Sequence, residues 1–224
     1  MNNVDQVFSP GLLVYADRVQ ANLGRMIEMA GGADKLRPHV KTHKMPAIVE
    51  LSIASGITRF KSATIAEAEM TAETGAADVL LAAQPVGPNI GRFVKLVEQY
   101  PSCQLSCLVD DPSVVANLES AFQAAGSQGS VWIDIDVGMH RTGIAPSDAA
   151  TELVCSIRAS EHLRLAGIHV YDGHLHDTDS EKLRRQFDEV VKPFWIWFEE
   201  IQRASGNRLS LVAGGTPTSA FWQA

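Results

Sequence analysis

TRFKSATIAEAEMTAETGAADVLLAAQPV, residues 58–86, carries the pattern that decides the fold of this chain. The stretch opens with a β-rich run, TRFKSA, continues in helical spacing as TIAEAEMTAETGA, and returns to a β-rich run, DVLLAAQPV. A strand, a helix and a second strand in this order predict two parallel strands joined by a right-handed crossover.

The same alternation extends in both directions from this unit. Predicted strands follow in CQLSCLVDD, SVWIDIDVG, LRLAGIHVYDGH and RLSLVAGG, and others precede it in LRPHVKTHK and in the opening run LLVYADR. Helical patterns separate these runs, and TPTSAFWQA is predicted to open a further helix. About seven units of roughly 30 residues favour a TIM-type (β/α)8 barrel, with a doubly wound sheet as the alternative that periodicity does not exclude.

Composition and charge narrow the class of protein. The chain has 224 residues, of which 46% are hydrophobic and 20% charged, which is typical of a soluble globular domain with one sizeable core. A formal net charge of -7 argues against binding to nucleic acid or to an anionic membrane. Three cysteines without a CxxC pair, no signal-peptide pattern and no bilayer-spanning apolar run predict a cytoplasmic protein.

The densest group of chemically active residues is RPHVKTHK, residues 37–44. Neighbouring positive charges and partial burial favour the neutral form of a lysine amine, which can attack an aldehyde and form a Schiff base. If the segment is a strand, its alternation places His39, Lys41 and His43 on one side. The same residues would also suit a phosphate site, a metal site or a solvated basic strand end.

A second group, DIDVGMHRTG at residues 134–143, follows another predicted strand. Asp134 and Asp136 point the same way near the strand end, ahead of a glycine turn and Arg141. The two carboxylates could bind a metal, or they could orient Arg141 towards a ligand oxygen.

A third group, HVYDGHLH at residues 169–176, contains a His-x-His pair, His174 and His176. Alternate residues of a strand share a face, so the pair is a candidate for metal binding, with Asp172 and Asp177 completing the site. A metal-dependent hydrolase on a TIM barrel is therefore a competing hypothesis.

A fourth group, AGGTPT at residues 213–218, lies between an apolar strand and a possible helix. Glycines let backbone amides approach a ligand closely, and a helix N-terminus attracts anions. Gly214, Gly215 and Thr216 are therefore candidates for a phosphate site, whereas Thr216 as helix N-cap with Pro217 at the first helical position is the structural alternative.

These groups, in this order, resemble the family of D-threonine aldolase and eukaryotic-type D-serine dehydratase, whose members share the alanine-racemase-like fold and use pyridoxal 5'-phosphate (PLP). RPHVKTHK is the most specific piece, and the resemblance implies that Lys41 carries PLP. It further implies that Arg141 contacts the phenolic oxygen of PLP and that Tyr171 and His174 lie near its pyridine ring. GGTPT resembles the phosphate loop, which implies Gly214, Gly215 and Thr216 as phosphate ligands.

The resemblance implies a PLP-dependent lyase acting on a small D-β-hydroxy amino acid. We expect an aldolase that cleaves Cα–Cβ to glycine and an aldehyde, with Lys41 and His174 as catalytic residues. A D-serine dehydratase-like lyase and a PLP-binding protein without turnover are the alternatives within this fold.

Members of the family continue well beyond this length, with a last barrel strand and a C-terminal β domain that supplies the ligands of a divalent metal. We therefore expect residues 1–224 to form one incomplete PLP-binding barrel domain of the alanine racemase N-terminal type, truncated before those parts and without the metal ligands. An open barrel exposes strand edges and apolar surface, so we expect a homodimer.

Overall fold

Strands of this chain pair in the order in which they follow along the sequence. The computed structural model describes residues 4–205 and 208–223. Within these residues one parallel sheet of six strands has the order β1-β2-β3-β4-β5-β6. The strands are β1 Arg59–Ser62, β2 Asp78–Leu81, β3 Gln104–Val109, β4 Gly129–Ile135, β5 Leu163–Val170 and β6 Ser210–Ala213. A doubly wound sheet reverses its strand order at a switch point, so the sequential order confirms the barrel topology.

Helices connect the successive parallel strands, as crossover connections require. In the described part of the chain they are α1 Ala16–Ala30, α2 Pro46–Ala54, α3 Ile65–Glu73, α4 Pro88–Gln99, α5 Pro112–Ala125, α6 Asp148–Ala159 and α7 Ser180–Ser205, with short 3-10 helices at Val4–Gln6, Ala33–Lys35, Val40–Thr42 and Phe221–Gln223. No helix within residues 4–205 and 208–223 combines the length and the apolar composition that crossing a bilayer requires.

Side chains alternate between the two faces of the sheet. On the outer face, residues such as Cys107, Ile133 and Ile168 pack against the helices in the main core, which also takes in Phe194 and Phe198 of α7. The helices cover the outer face and the curl of the sheet shelters the inner one. Both faces are therefore largely shielded from solvent, which is why the sequences of the strands are nearly continuous apolar runs.

The inner face has a short apolar layer formed by Leu80, Leu108 and Trp132. Lys61 on β1 and His169 on β5 also point inwards, and their side-chain nitrogens lie 3.1 Å apart. Adjacent strands are about 4.8 Å apart, so strands four positions apart in a flat sheet would be separated by about 19 Å. The sheet is therefore strongly curled, into half of a barrel.

Two predicted strands near the N-terminus are wrong. Residues 12–15 of the run LLVYADR lie outside the sheet, and α1 begins at Ala16. The strand expected in LRPHVKTHK shrinks to a single bridge between His39 and Lys61, because the chain turns into the 3-10 helix Val40–Thr42 directly afterwards. The described residues thus hold six strands rather than about seven repeating units.

Candidate active site

A cavity of about 440 Å³ lies at the carboxyl ends of the strands, inside the curl of the sheet. Its wall includes His39, Lys41, Lys61, Arg141 and Tyr171, which come from four separate segments of the chain. The carboxyl end of a parallel barrel is the face where such domains carry ligand sites.

Lys41 lies in a tight turn rather than on a strand. Its backbone N–H donates to Nδ1 of His39 over 3.2 Å, and the fully buried Val40 anchors the turn. Lys44 continues the anchoring through an ion pair of 3.3 Å with Glu67 of α3. The alternation predicted for His39, Lys41 and His43 is therefore wrong, since a 3-10 turn does not place alternate residues on one face.

His43 accordingly serves a different purpose from its two neighbours. Its Nδ1 accepts a hydrogen bond of 3.1 Å from the backbone N–H of Met45, and it is not among the residues that line the cavity. The side chain thus stabilises the start of α2 instead of facing a ligand.

Three cationic side chains converge on the ring of Tyr171. The Nζ atoms of Lys41 and Lys61 lie 6.0 Å and 5.7 Å from the ring centroid, and Cζ of Arg141 lies 5.1 Å from it. The electron-rich face of an aromatic ring attracts cations at such distances. The cavity therefore gathers three cationic groups around one flat aromatic surface, with the carboxylates of Asp110 and Asp134 also in its wall.

Behind this surface, a buried hydrogen-bonded chain connects strands β4, β5 and β1. Oδ1 of Asp134 lies 2.6 Å from Nδ1 of His169, and Nε2 of His169 lies 3.1 Å from Nζ of Lys61. The hydroxyl of Thr142 donates to Oδ2 of Asp134 over 2.9 Å. Burial lowers the pKa of His169 and Lys61 lowers it further, while Asp134 acts in the opposite direction. A neutral His169 that donates to Asp134 and accepts from Lys61 fits these contacts.

Burial and crowding of positive charge also shift the groups in the cavity wall. Burial lowers the pKa of the Lys61 ammonium to about 8; Asp134 raises it in part, and Lys41 and Arg141 lower it. Burial lowers the pKa of His39 to about 4, with the charges of Lys61 and Lys41 contributing. The cavity thus disfavours further positive charge.

Arg141 is held in place by the turn that follows β4. The carboxylate of Asp136 accepts backbone hydrogen bonds from Gly138, Met139 and His140 at 2.9–3.1 Å. Burial acts to raise the pKa of Asp136, but these amide hydrogen bonds outweigh it and lower the pKa. Asp136 therefore organises the turn as a charged cap and is not free to bind a metal.

His174 lies beside this turn rather than in the cavity wall. A Cβ atom on Gly138 would lie 3.6 Å from Nε2 of His174, so the ring packs against the glycine. Nδ1 of His174 is buried and has no hydrogen-bond partner among the residues that the structure describes. A buried nitrogen without a partner destabilises the fold. Such atoms are often found where a bound ligand supplies the missing hydrogen bond.

Gly214, Gly215 and Thr216 follow β6 and, like His174, do not line the cavity. The amide of Gly214 donates to the carbonyl of Val170 over 3.2 Å, and that of Gly215 donates to Asp172 Oδ1 over 2.6 Å. The side chain of Thr216 is exposed. The predicted helix is absent at this point, where the chain forms turns followed by the 3-10 helix Phe221–Gln223.

The contacts of two charged residues, Arg37 and Lys61, do not follow from local sequence patterns. Arg37, expected beside Lys41, makes a two-pronged ion pair with Asp78, with distances of 2.7 Å and 2.6 Å. Lys61 was not recognised as a site residue. The available signal was a lysine in the middle of a short strand between the buried Phe60 and Ser62.

The predicted alternative of a metal site has little geometric support. Among residues 4–205 and 208–223, no group of three or more His, Cys, Asp or Glu side chains is placed to hold a metal ion. His176 is exposed, and its Nδ1 contacts the backbone carbonyl of His174 over 2.8 Å. The His-x-His pair therefore does not converge on one point.

The strands run parallel, follow one another in sequence order and curl into half of a barrel, and a cavity lined by amines lies at their carboxyl ends. These features define a domain of the α/β-barrel type. The model of the family "Alanine racemase, N-terminal domain" matches residues 14–202, and the chain belongs to this family.

Relatives of known activity cover almost all of this chain. D-threo-3-hydroxyaspartate dehydratase of Delftia sp. (strain HT23) is 28% identical over 94% of this chain and 56% of its own length. D-threonine aldolase of Arthrobacter sp. is 26% identical over 98% of this chain and 58% of its own length. The crystal structure of D-threonine aldolase from Filomicrobium marinum superposes with a TM-score of 0.89 at 26% identity, over 98% of this chain and 60% of that one. The chain thus spans somewhat over half the length of these relatives.

Proposed function

We propose that this chain is the cofactor-binding part of a PLP-dependent lyase that acts on D-β-hydroxy amino acids, with Lys41 as the lysine that holds PLP. The observation that carries the proposal is the convergence of Lys41 and Arg141 on the ring of Tyr171 within one cavity. Relatives that are aldolases or dehydratases of such amino acids support the substrate class.

The cavity fits PLP at its aldehyde and at its ring. Lys41 presents a primary amine for the aldehyde, and Tyr171 presents a flat surface for the pyridine ring. The guanidinium of Arg141 is suited to the phenolic oxygen, since a charge-assisted hydrogen bond to an anionic oxygen is strong.

The phosphate end would involve Gly214, Gly215 and Thr216. In the structure the amides of both glycines donate to the chain itself, at Val170 and Asp172. A phosphate bound by those amides would have to replace these hydrogen bonds, so we propose that the loop rearranges when PLP binds.

When bound, PLP supplies an electron sink for negative charge that develops at Cα of an amino acid. In the dehydratase route the amine of Lys41, which lies in the cavity, would remove the proton from Cα. In the aldolase route we propose His174 as the acceptor of the β-hydroxyl proton; its ring packs against Gly138 beside the cavity, so it would have to turn towards the substrate.

The finer assignment is a D-threonine aldolase-like reaction, which yields glycine and an aldehyde. A dehydratase is the second candidate, because one relative is a dehydratase of D-threo-3-hydroxyaspartate at 28% identity. Assays with D-threonine, D-serine and D-3-hydroxyaspartate separate the two, since an aldolase releases glycine whereas a dehydratase releases ammonia and a 2-oxo acid. Stable PLP binding without either product would identify a PLP-binding protein without turnover.

The first test is to add PLP to the purified chain, reduce with borohydride and map the modified peptides by mass spectrometry. We expect one phosphopyridoxyl group, on Lys41, because its amine lies in the cavity beside Tyr171 and Arg141. The variant Lys41→Met should lose the label.

The matched control is Lys95→Gln, which removes an exposed lysine on α4, outside the turn of Lys41. This variant should keep the label on Lys41. Labelling that spreads over surface lysines, or that is unchanged in Lys41→Met, would show that the chain does not form the proposed cofactor site.

A further inference from the structure

Lys61 is a charged group in the cavity that the proposed function does not use. It lies in the middle of β1 on the inner face of the sheet and lines the cavity. Its Nζ atom lies 3.1 Å from Nε2 of His169 and 5.7 Å from the centroid of the Tyr171 ring. A lysine in such a place is expensive to bury and calls for a physical reason.

The contacts of His169 determine how the Lys61 ammonium is oriented. A carboxylate only accepts hydrogen bonds, so the contact of 2.6 Å between Asp134 and His169 requires the proton on Nδ1 of His169. Nε2 of the neutral ring then carries a lone pair and accepts from Lys61. One N–H of the ammonium is thereby held in a defined direction.

The other N–H groups of the ammonium remain available to a ligand. Within the part of the chain that the structure describes, His169 is the hydrogen-bond partner found for Nζ of Lys61. An ammonium has three donors, so two are left. Asp134 offsets part of the Lys61 charge, but its oxygens accept from His169 and the Thr142 hydroxyl, and no hydrogen bond joins them to Nζ among the described residues.

The neighbours of Lys61 indicate the charge of that ligand. Lys41 and Arg141 point at the same ring as Lys61, within 6.0 Å and 5.1 Å of its centroid. If Lys41 is taken up by the aldehyde of PLP, Lys61 and Arg141 still present two positive charges to the cavity. The carboxylates of Asp110 and Asp134 also line it, but they make their hydrogen bonds to Gly143, Thr142 and His169. Charges of one sign at this spacing are stable when an anion lies between them.

We propose that Lys61, held by its hydrogen bond to His169, binds an anionic oxygen of the molecule that occupies the cavity. This inference rests on the proposed function, in which that oxygen is either the phenolate of PLP or the carboxylate of the amino acid substrate. Lys61 is then a second cationic binding residue beside Arg141, and His169 with Asp134 positions it.

The test compares Lys61→Met, which has a side chain of similar length without the charge, with Lys61→Arg, which keeps the charge. Lys95→Met, an exposed position on α4, is the matched control. Two probes that cannot form a Schiff base are titrated into each protein without PLP: pyridoxine 5'-phosphate, which carries the phenol, and malonate, which carries only carboxylates. Dissociation constants are measured by calorimetry.

We expect Lys61→Met to bind at least one probe about 10- to 100-fold more weakly than Lys95→Met, the range that a charge-assisted hydrogen bond represents. Lys61→Arg should recover part of the loss. A loss confined to pyridoxine 5'-phosphate assigns Lys61 to an anionic oxygen of the cofactor, and a loss with malonate assigns it to a carboxylate.

A second readout covers the case in which Lys61→Met does not fold. The ¹⁵N-¹H signal of the Lys61 ammonium in the wild-type chain, assigned through Lys61→Arg, should shift when either probe is added. If neither probe moves this signal, or if a folded Lys61→Met binds both as tightly as the control, the inference is wrong.

Failure of the proposed function gives a different result. Borohydride labelling of Lys41 in the wild-type chain tests that function alone and does not depend on Lys61. A label on Lys41 with unchanged probe binding in Lys61→Met would leave the function standing and overturn the role of Lys61. No label on Lys41, together with weaker malonate binding in Lys61→Met, would do the reverse.

Discussion

The imidazole of His39 couples the turn of Lys41 to the charges in the cavity. Its Nδ1 accepts the backbone N–H of Lys41, which is possible only while that nitrogen carries no proton. Burial, with the ammonium groups of Lys61 and Lys41 adding to it, lowers the pKa of His39 from 6.5 to about 4. At neutral pH the turn that presents the Lys41 amine therefore keeps the hydrogen bond from the backbone N–H of Lys41 to His39.

This shift predicts how stability depends on pH at the scale of one residue. Since the folded pKa of His39 lies below the unfolded value, the unfolded chain binds more protons between pH 6.5 and about 4. The contribution of His39 to the free energy of unfolding is complete above pH 6.5 and declines as the pH falls towards 4. His39→Asn keeps an acceptor for the amide two residues on and does not titrate, so it should flatten the slope.

Urea unfolding at a series of pH values between neutral and acidic measures that slope. His176→Asn is the control, because it removes an exposed histidine from the same chain and should leave the slope unchanged. An equal slope in His39→Asn and in the wild-type chain would contradict the prediction.

At the scale of the element, the loop after β4 shows how a local turn places a distant side chain. The carboxylate of Asp136 accepts hydrogen bonds from the backbone N–H groups of residues 138–140. The backbone N–H of Gly143 donates to Oδ2 of Asp110 over 2.7 Å and closes the loop. Gly143 has a φ of +97°, and a Cβ atom there would lie 2.7 Å from the backbone nitrogen of Asp136. Arg141 lies between these two fixed points, which determines where its guanidinium can reach.

Gly143→Ala should therefore disturb both the loop and the site. We expect the free energy of unfolding to fall by about 1–3 kcal/mol, because the substitution combines an unfavourable φ with a backbone clash. Labelling of Lys41 by PLP should weaken as Arg141 moves. Urea unfolding and borohydride labelling measure the two effects.

Gly91→Ala is the matched control on α4. A Cβ atom at Gly91 meets nothing within 4 Å, and alanine favours a helix over glycine by about 0.5–1 kcal/mol. The control should be slightly more stable than the wild-type chain and label as well. Equal stability of Gly143→Ala and the wild-type chain would refute the role given to this loop.

At the scale of the whole molecule, the described residues leave a group of apolar side chains in contact with solvent. Val7, Phe8, Leu12, Leu13 and Tyr15 are all exposed, Phe8 by 93%. β1 and β6 are the edges of the described sheet. Grouped exposed apolar residues and open strand edges both favour association between chains.

We therefore predict that the chain associates with a second copy in solution. Light scattering after size-exclusion chromatography should give the mass of two chains. Phe8→Asp combined with Leu12→Asp should reduce it to one, because two charges cannot be buried without partners.

Met29→Asp is the control for this pair of substitutions. Met29 is 71% exposed on α1 and is separate from the N-terminal group in sequence, so this variant should keep the mass of the wild-type chain. A wild-type chain that stays a monomer at high concentration would contradict the prediction.

Much of this architecture follows from local patterns in the sequence. The alternation around residues 58–86 predicts parallel strands joined by helical crossovers, and the order of the sheet confirms it. Lys41 could be selected through the resemblance of its motif; Arg141 and Tyr171, which line the cavity with it, follow or end predicted strands. Strand ends of a parallel sheet meet at one edge, so position along the chain was informative for them.

The sequence by itself thus determined the class of fold, the edge of the sheet that carries the site, and the lysine that faces it. Tertiary structure alone decided the chain from Asp134 through His169 to Lys61, the ion pair of Arg37 with Asp78, and the turn at Val40–Thr42. Local patterns record which face of a strand a residue occupies. They do not record how far the sheet curls, and it is the curl that brings β1 and β5, four strands apart in the sheet, within hydrogen-bonding distance across the inner face.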